Sequence, residues 1–264
     1  MDYIKGGDLF DRVVQKHVYS EHDARELVFT LASALKYIHS LHIVHRDVKP
    51  ENILMTSATD DSDIKLTDFG FATFTYGNDL TEQLGTANYL APELLLRQPY
   101  GQSVDIWALG VILFILLSGV FPFHEDDTRK LYRQIATCNY EFDPKYWSTI
   151  SDESKDLITH ILCLNPAERY SLDQILAHPW MNIPEKELST RSLESSLSRI
   201  AALIAHRKLK AAMIAVRTSI FFGSLSSSHS KMERMAEGEE KSEKSTSPNG
   251  RKAQLAESDI IVEV

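Results

Sequence analysis

Three short strings hold the side chains with chemical potential. His45-Arg46-Asp47-Val48-Lys49-Pro50-Glu51-Asn52 brings an imidazole, a guanidinium, two carboxylates, an ammonium and an amide close together in the chain. Asp68-Phe69-Gly70 and Ala91-Pro92-Glu93 follow in that order. Carboxylate and amide oxygens can ligate a hard divalent cation or orient a hydroxyl, and an ammonium beside them can neutralise negative charge. Asp and Asn are also common turn formers. Each triplet alone therefore says little; the ordered set is the signal.

In that order and at those spacings, the strings resemble the catalytic signature of eukaryotic-type serine/threonine protein kinases. The resemblance implies a two-lobed kinase fold and transfer of the ATP γ-phosphate to protein Ser or Thr. That chemistry depends on positioned charge more than on covalent steps. By resemblance, Asp47 would orient the substrate hydroxyl and accept its proton, and Lys49 would neutralise charge on the transferring phosphate. Asn52 and Asp68 would supply oxygen ligands to a Mg²⁺ that bridges the ATP phosphates. Within GTANYLAPE, Thr86 would contact both Asp47 and Lys49, while Asn88 departs from the commoner pattern. Arg46 would face the activation loop and pair with a phosphate or carboxylate there, a plain surface charge being the alternative. Glu93 would pair with Arg169, and Asp105 would brace the catalytic-loop backbone; these three are expected to be scaffold.

GGDLFDRV, HRDVKPENIL, the acidic insertion before IKLTDFG, SGVFPF and NPAERYSLDQILAHPW together resemble the calcium/calmodulin-dependent kinase group. Asp8, where relatives carry Glu, and Glu51 would offer carboxylates to an arginine upstream of the target Ser or Thr, so protein substrates with nearby basic residues are expected. Both carboxylates could instead be simply solvated. Glu82 stands three residues before Gly85, where some relatives carry a phosphorylated Thr, and Thr81 lies one place earlier. Constitutive activation and phosphorylation at Thr81 both stay open.

A second line comes from the tail. Between Ser195 and Met232 there is no acidic residue, yet Arg199, Arg207, Lys208, Lys210, Arg217 and Lys231 are present in a chain of net charge -9. AHRKLKAAMIAVRTSIFFGS also spaces Leu209, Val216 and Phe222 as helical anchors, giving a basic amphipathic helix of the kind calmodulin engulfs. It is similar to the regulatory segment of multifunctional calmodulin-dependent kinases, which blocks the substrate cleft until Ca²⁺/calmodulin removes it. A helix that only packs on the lobe, or one lying on anionic membrane, meets the same physics. No arginine lies three residues before Ser195 or Ser196, which argues against an autophosphorylation switch ahead of the helix. The final Val262, Glu263 and Val264 are too short a match to a PDZ-type ligand to outweigh accident.

These groups need a scaffold, and the apolar periodicity outlines one. Ala24, Leu27, Val28, Leu31, Ala32, Leu35 and Ile38 recur at helical spacing across 20–42, with Ser20 and Asp23 placed as a cap. Two β-like pieces, Ile53–Met55 and Ile64–Thr67, flank the polar TSATDDSD and predict a small hairpin. Residues 68–92 lack periodicity and predict one long functional loop. Helical patterns return from Ile106, then across 126–136, 151–162 and 171–177, the last opened by Ser171 and Gln174. The expected fold is mainly α: a kinase-like C-terminal lobe with a small β-hairpin over 1–181, a regulatory helical segment over 185–222, and a disordered polar tail over 223–264. MDYIKGG resembles the hinge, with no Gly-rich loop or strand lysine before it. The expectation is accordingly a C-terminal lobe with little or no activity by itself. A catalytically dead module that binds calmodulin or competes for substrates is the alternative.

Composition narrows the classes further. A hydrophobic fraction of 43% over 264 residues allows a large core. The acidic balance, with pI near 5.6, argues against a nucleic-acid binder. Cys138 and Cys163 fit neither a disulfide framework nor a zinc spacing, so a reducing, cytoplasmic setting is expected, with the nucleus also open. Ile106–Phe123 has no charged residue, and its length reaches the lower limit for a membrane span. Gly110, Gly119 and Pro122 favour instead the buried central helix of a lobe.

Overall fold

A computed structural model of the chain describes residues 6–57, 64–216 and 218. The first five residues, the acidic insertion at 58–63, Phe222 and the tail over 223–264 lie outside the described residues. The chain divides into two units, Met1–Arg207 and Lys208–Val264.

The long amphipathic pattern becomes α2 (Glu21–Ser40), which follows the short α1 (Leu9–Val14). All seven predicted apolar positions of α2 are buried. Ser20 and Asp23 form a reciprocal capping box, and Lys16 closes on the Asp23 carboxylate at 2.5 Å. Burial alone would raise the Asp23 pKa, but Lys16 and the Ser20 hydrogen bonds outweigh it and hold the carboxyl below its ordinary range. Polar links also fasten this helix start elsewhere: Glu21 accepts from Ser151 Oγ at 2.6 Å and from Trp180 Nε1 at 3.1 Å.

The uncharged run forms α4 (Ser103–Ser118), buried at every position from Val104 to Ser118, after the short α3 (Pro92–Leu95). An apolar surface all round suits a helix enclosed by others. Among the described residues, no helix is long and apolar enough to cross a membrane. Gly110 shows how closely its neighbours approach: a Cβ there would stand 2.5 Å from Ile161 Cγ2. Both α2 and α7 (Asp152–Ile161) pack on α4. Gly119, at φ 74°, ends the helix in the left-handed conformation that lacks a steric penalty only for glycine.

The remaining helices are α5 (Thr128–Ala136), α6 (Pro144–Trp147), α8 (Leu172–Leu176) and α9 (Glu185–Leu188). Ser171 and Gln174 make the capping box their spacing predicts, and Asp127 and Ser151 cap α5 and α7. Helical backbone also covers 194–207, where Ile200 and Ile204 are buried and Ser196 donates to the Leu117 carbonyl at 2.5 Å. In the second unit, 208–216 are helical and exposed.

Two small antiparallel sheets complete the fold. β2 (Ile53–Met55) pairs with β3 (Ile64–Leu66) in the register Ile53↔Leu66, Leu54↔Lys65, Met55↔Ile64, the predicted hairpin. β1 (Ile43–Val44) pairs with β4 (Thr73–Phe74), and this sheet lies partly within the stretch expected to be loop. Strands of two residues are too short to show any period, so the 68–92 segment conceals both β4 and the turns at Phe69–Phe71 and Ala87–Tyr89.

Candidate active site

The β2–β3 hairpin brings the first two strings to one place. Ile53 opens β2 directly after Asn52, and Thr67 follows β3; the Thr67 amide donates to the Asn52 carbonyl at 2.8 Å. That bond sets Asp68 beside the end of the His45–Asn52 loop. Asp68 adopts φ 60°, ψ 64°, and its carboxylate accepts from the Gly70 amide at 3.4 Å.

Asp47, Lys49 and Thr86 form a closed triangle. Lys49 Nζ lies 2.5 Å from Asp47 Oδ2 and 2.9 Å from Thr86 Oγ1. The Thr86 hydroxyl donates to Asp47 Oδ1 at 2.7 Å. Asp47 is buried and also accepts from Asn52 Nδ2 at 3.2 Å, while the same nitrogen reaches the Asp47 carbonyl at 2.9 Å. Committing the Asn52 nitrogen to Asp47 leaves the amide oxygen as its other polar atom. Asn52 and Asp68 are thus hard oxygen donors from adjacent strand ends. Among the described residues, no group of three or more His, Cys, Asp or Glu could hold a metal ion. Mg²⁺ in nucleotide sites takes one or two protein oxygens and completes its shell with phosphates and water, so the donor set fits that ion.

The loop carrying Asp47 is fixed from below. Asp105, at the start of α4 and 1% exposed, accepts from the backbone amides of His45 and Arg46 at 2.8 and 2.9 Å and pairs with His39 Nε2 at 2.9 Å. His45 spans the two strings: its Nε2 lies 2.9 Å from the Thr67 carbonyl, and its Nδ1 accepts from the Asp47 amide at 3.3 Å. Arg46 sits at φ 68° and reaches Phe71 O, the Glu82 carboxylate and the Tyr100 hydroxyl. Burial would lower the Arg46 pKa, but Tyr100 and Glu82 outweigh it and raise the guanidinium above its ordinary value. Thr81 is exposed beside Glu82. Arg169 and Glu93 pair deep in the lobe, apart from this loop.

A second acidic place lies at the other end of the hairpin. The Gly7 carbonyl accepts from the Met55 amide at 3.0 Å, and Asp8 bridges to Leu54, so the residue before α1 is tied to β2. Asp8 and Glu51 both meet Arg207: Nη2 lies 2.7 Å from Asp8 Oδ2, and Nη1 lies 2.9 Å from Glu51 Oε1. Burial opposes the charge on Arg207, but Glu51 and Asp8 outweigh it and raise its pKa. Glu51 Oε2 is buried with no hydrogen-bond partner among the described residues. Tyr89 is buried too; burial first, and Glu51 second, push its phenol well up. In the second unit, Lys208, Leu209, Lys210 and Val216 lie on exposed helix.

Sequence reasoning missed His39, His45 and Tyr100 as positioning groups. His45 could have been suspected from its place in the string. Tyr100 sits in RQPYG, where nothing in the local pattern signals a partner in the activation segment.

The family model for the protein kinase domain matches residues 1–181. Calcium/calmodulin-dependent protein kinase type 1B of Rattus norvegicus is 46% identical over 182 residues, covering 69% of this chain and 53% of the relative. The type 1 enzyme of Macrobrachium nipponense is 41% identical over 198 residues, covering 75% of this chain and 57% of the relative. That of Caenorhabditis elegans is 42% identical over 182 residues, covering 69% and 52%. The chain spans about half the length of the curated relatives it matches. Matched along most of its length by that model, the chain belongs to the protein kinase family.

Proposed function

We propose that this chain acts as the substrate-binding and catalytic-loop lobe of a Ser/Thr protein kinase that transfers the ATP γ-phosphate to basic-directed protein substrates under Ca²⁺/calmodulin control. The triangle of Asp47, Lys49 and Thr86 carries the chemical part. Asp47 would take the proton of a substrate hydroxyl, and Lys49 would offset charge on the transferring phosphate. Asn52 and Asp68 would hold Mg²⁺, which supplies charge neutralisation on the ATP phosphates when bound.

The regulatory part rests on Arg207. Two carboxylates converging on one guanidinium make a site for an arginine side chain, and here it is filled from the chain itself. Arg207 would therefore occupy the place of a substrate arginine. Being tethered, it competes at an effective concentration that a free peptide must exceed. Calmodulin, by engulfing the adjoining helix with Leu209, Val216 and Phe222 as anchors, would withdraw it.

The test is binding and phosphorylation of an R-x-x-S peptide. Arg207→Ala should tighten peptide binding about 10-fold, and Ca²⁺/calmodulin should do the same for the unaltered chain. Replacing the peptide arginine with alanine should erase the difference. Phosphate incorporation that disappears in Asp47→Asn establishes transfer. Calmodulin capture with peptide affinity indifferent to Arg207 would favour a calmodulin-binding module over a tethered inhibitor.

A further inference from the structure

A cavity of about 340 Å³ lies among α4, the chain that follows it and α6, and its lining includes none of Asp47, Lys49, Asn52, Asp68 or Thr86. That volume falls within the range of small-molecule sites. Five aromatic side chains line it: Phe114 of α4, Phe121 just after α4, Tyr140 from the loop after α5, and Tyr146 and Trp147 of α6. Three of these rings pack together, the Phe114 centroid lying 4.6 Å from that of Trp147 and 6.0 Å from that of Tyr140. Burial first, and Cys138 second, push the Tyr140 phenol up, so this wall carries no charge.

The charges on the lining have one sign. Glu141 and Asp143 contribute to it, and among the described residues no Lys or Arg does. Glu141 is exposed, and among the described residues it has no cation within salt-bridge distance. Asp143 gives one oxygen to the Lys145 amide at 2.8 Å, which caps α6. The Tyr146 ring already attracts cations of the chain itself: Lys145 Nζ stands 4.9 Å and Arg199 Cζ 5.2 Å from its centroid. Those two charges temper the acidic field without lining the cavity.

The class of ligand follows from what each alternative would meet. An anion would face two carboxylates with no lining cation to offset them. A neutral molecule would bury apolar surface on the rings and leave the carboxylates unanswered. A cation with an apolar body uses both, because aromatic rings bury the body and attract the charge, and carboxylates pair with it.

We propose that this cavity binds a small organic ammonium ion, an amine that is cationic at pH 7, with its apolar body against the rings and its charged head towards Glu141 and Asp143. The site is separate from the proposed phosphate transfer and does not depend on it.

NMR of the indole N–H groups in the whole chain tests the proposal. Trp107, Trp147 and Trp180 are the three tryptophans, and Trp147→Phe identifies the signal that belongs to the cavity. Titration with 2-phenylethylamine should move that signal with an apparent Kd of about 1 mM, and the neutral 2-phenylethanol, of the same size, should bind roughly 10-fold more weakly. Glu141→Gln should weaken the amine about 3-fold and leave the alcohol unchanged, and added salt should narrow the gap between the two probes. Adding Asp143→Asn, which keeps a capping oxygen, should bring the amine close to the alcohol. An indole spectrum unchanged before titration shows that each carboxylate variant is folded. Equal binding of amine and alcohol, or a Trp147 signal that neither moves, would overturn the proposal. A lysine-rich peptide that shifts Trp147 where the free amine does not would also overturn it, by making the cavity a protein-docking surface.

Discussion

Arg169 donates from its two terminal nitrogens to the two oxygens of Glu93, at 2.8 and 3.1 Å, with both side chains out of reach of solvent. The same guanidinium also bonds the Ser103 and Cys163 carbonyls and lies 5.0 Å from the Trp107 ring, so one cation ties α3, α4 and the loop after α7 together. Removing one partner of such a pair leaves the other charged and buried. Glu93→Gln should destabilise the lobe by about 3–5 kcal/mol. Urea denaturation will show this as a lower midpoint at unchanged slope. Combining Glu93→Leu with Arg169→Met should recover most of the loss, because the cost lies in the uncompensated charge. A single variant as stable as the parent would mean that the lobe relaxes to admit water.

Thr86 is placed to be more than a spacer. Its hydroxyl donates to Asp47 and accepts from Lys49, so one side chain fixes both proposed chemical groups. Thr86→Val removes the hydroxyl at nearly constant shape, and in the active kinase kcat should fall roughly 10-fold, because Asp47 loses its orientation rather than its charge. Asp47→Asn should cost about 100-fold or more by removing the proton acceptor. Thr86→Ser should stay near the parent rate. Steady-state phosphorylation of an R-x-x-S peptide measures all three; a normal kcat in Thr86→Val would confine Thr86 to packing.

The helical part of this fold is legible because its signals are local. The α2 periodicity, the Ser20 and Ser171 capping boxes and the β2–β3 hairpin each lie within one stretch of chain, and each forms as read. The catalytic string is legible for a different reason: its residue types and order are nearly unique to one chemistry. What escaped depends on contacts made across long separations. The β1–β4 pairing joins residues 43–44 to 73–74 through two-residue strands that leave no periodic trace. The Tyr100 contact with Arg46 exists only once α4 and the activation segment have been brought together. The meeting of Arg207 with Asp8 spans 199 positions, and sequence could name the two charges without pairing them.

Leu209 and Val216 are 59% and 58% exposed on the helical 208–216 stretch, an apolar display that water does not favour. Calmodulin binding would bury both. Leu209→Ala combined with Val216→Ala should weaken calmodulin affinity about 10- to 100-fold, mainly through faster dissociation. Lys208→Gln with Lys210→Gln should instead slow association, with the effect shrinking as salt rises. Stopped-flow fluorescence of labelled calmodulin separates the two rates. An apolar double variant with unchanged dissociation would exclude these side chains as anchors.

Cys138 makes a prediction about pH. Burial first, and the neighbouring Cys163 second, push its thiol up to about 11. Its Sγ lies 3.0 Å from the Leu162 carbonyl, to which the S–H donates. The thiolate is the reactive form, so alkylation of native Cys138 at pH 8 should run about 100-fold slower than that of an unfolded thiol with pKa ~8.5. The sign of the linkage follows. The folded state keeps the proton where the unfolded state releases it, so this group contributes its full stability below the unfolded value and loses it as pH climbs towards the folded one. The urea midpoint should therefore fall between about pH 8.5 and 11, and Cys138→Ala should show a smaller fall over the same range. Iodoacetamide labelling followed by peptide mass spectrometry, in native buffer and in urea, reads the first effect directly, and rapid native labelling at pH 8 would show that the Leu162 contact opens readily.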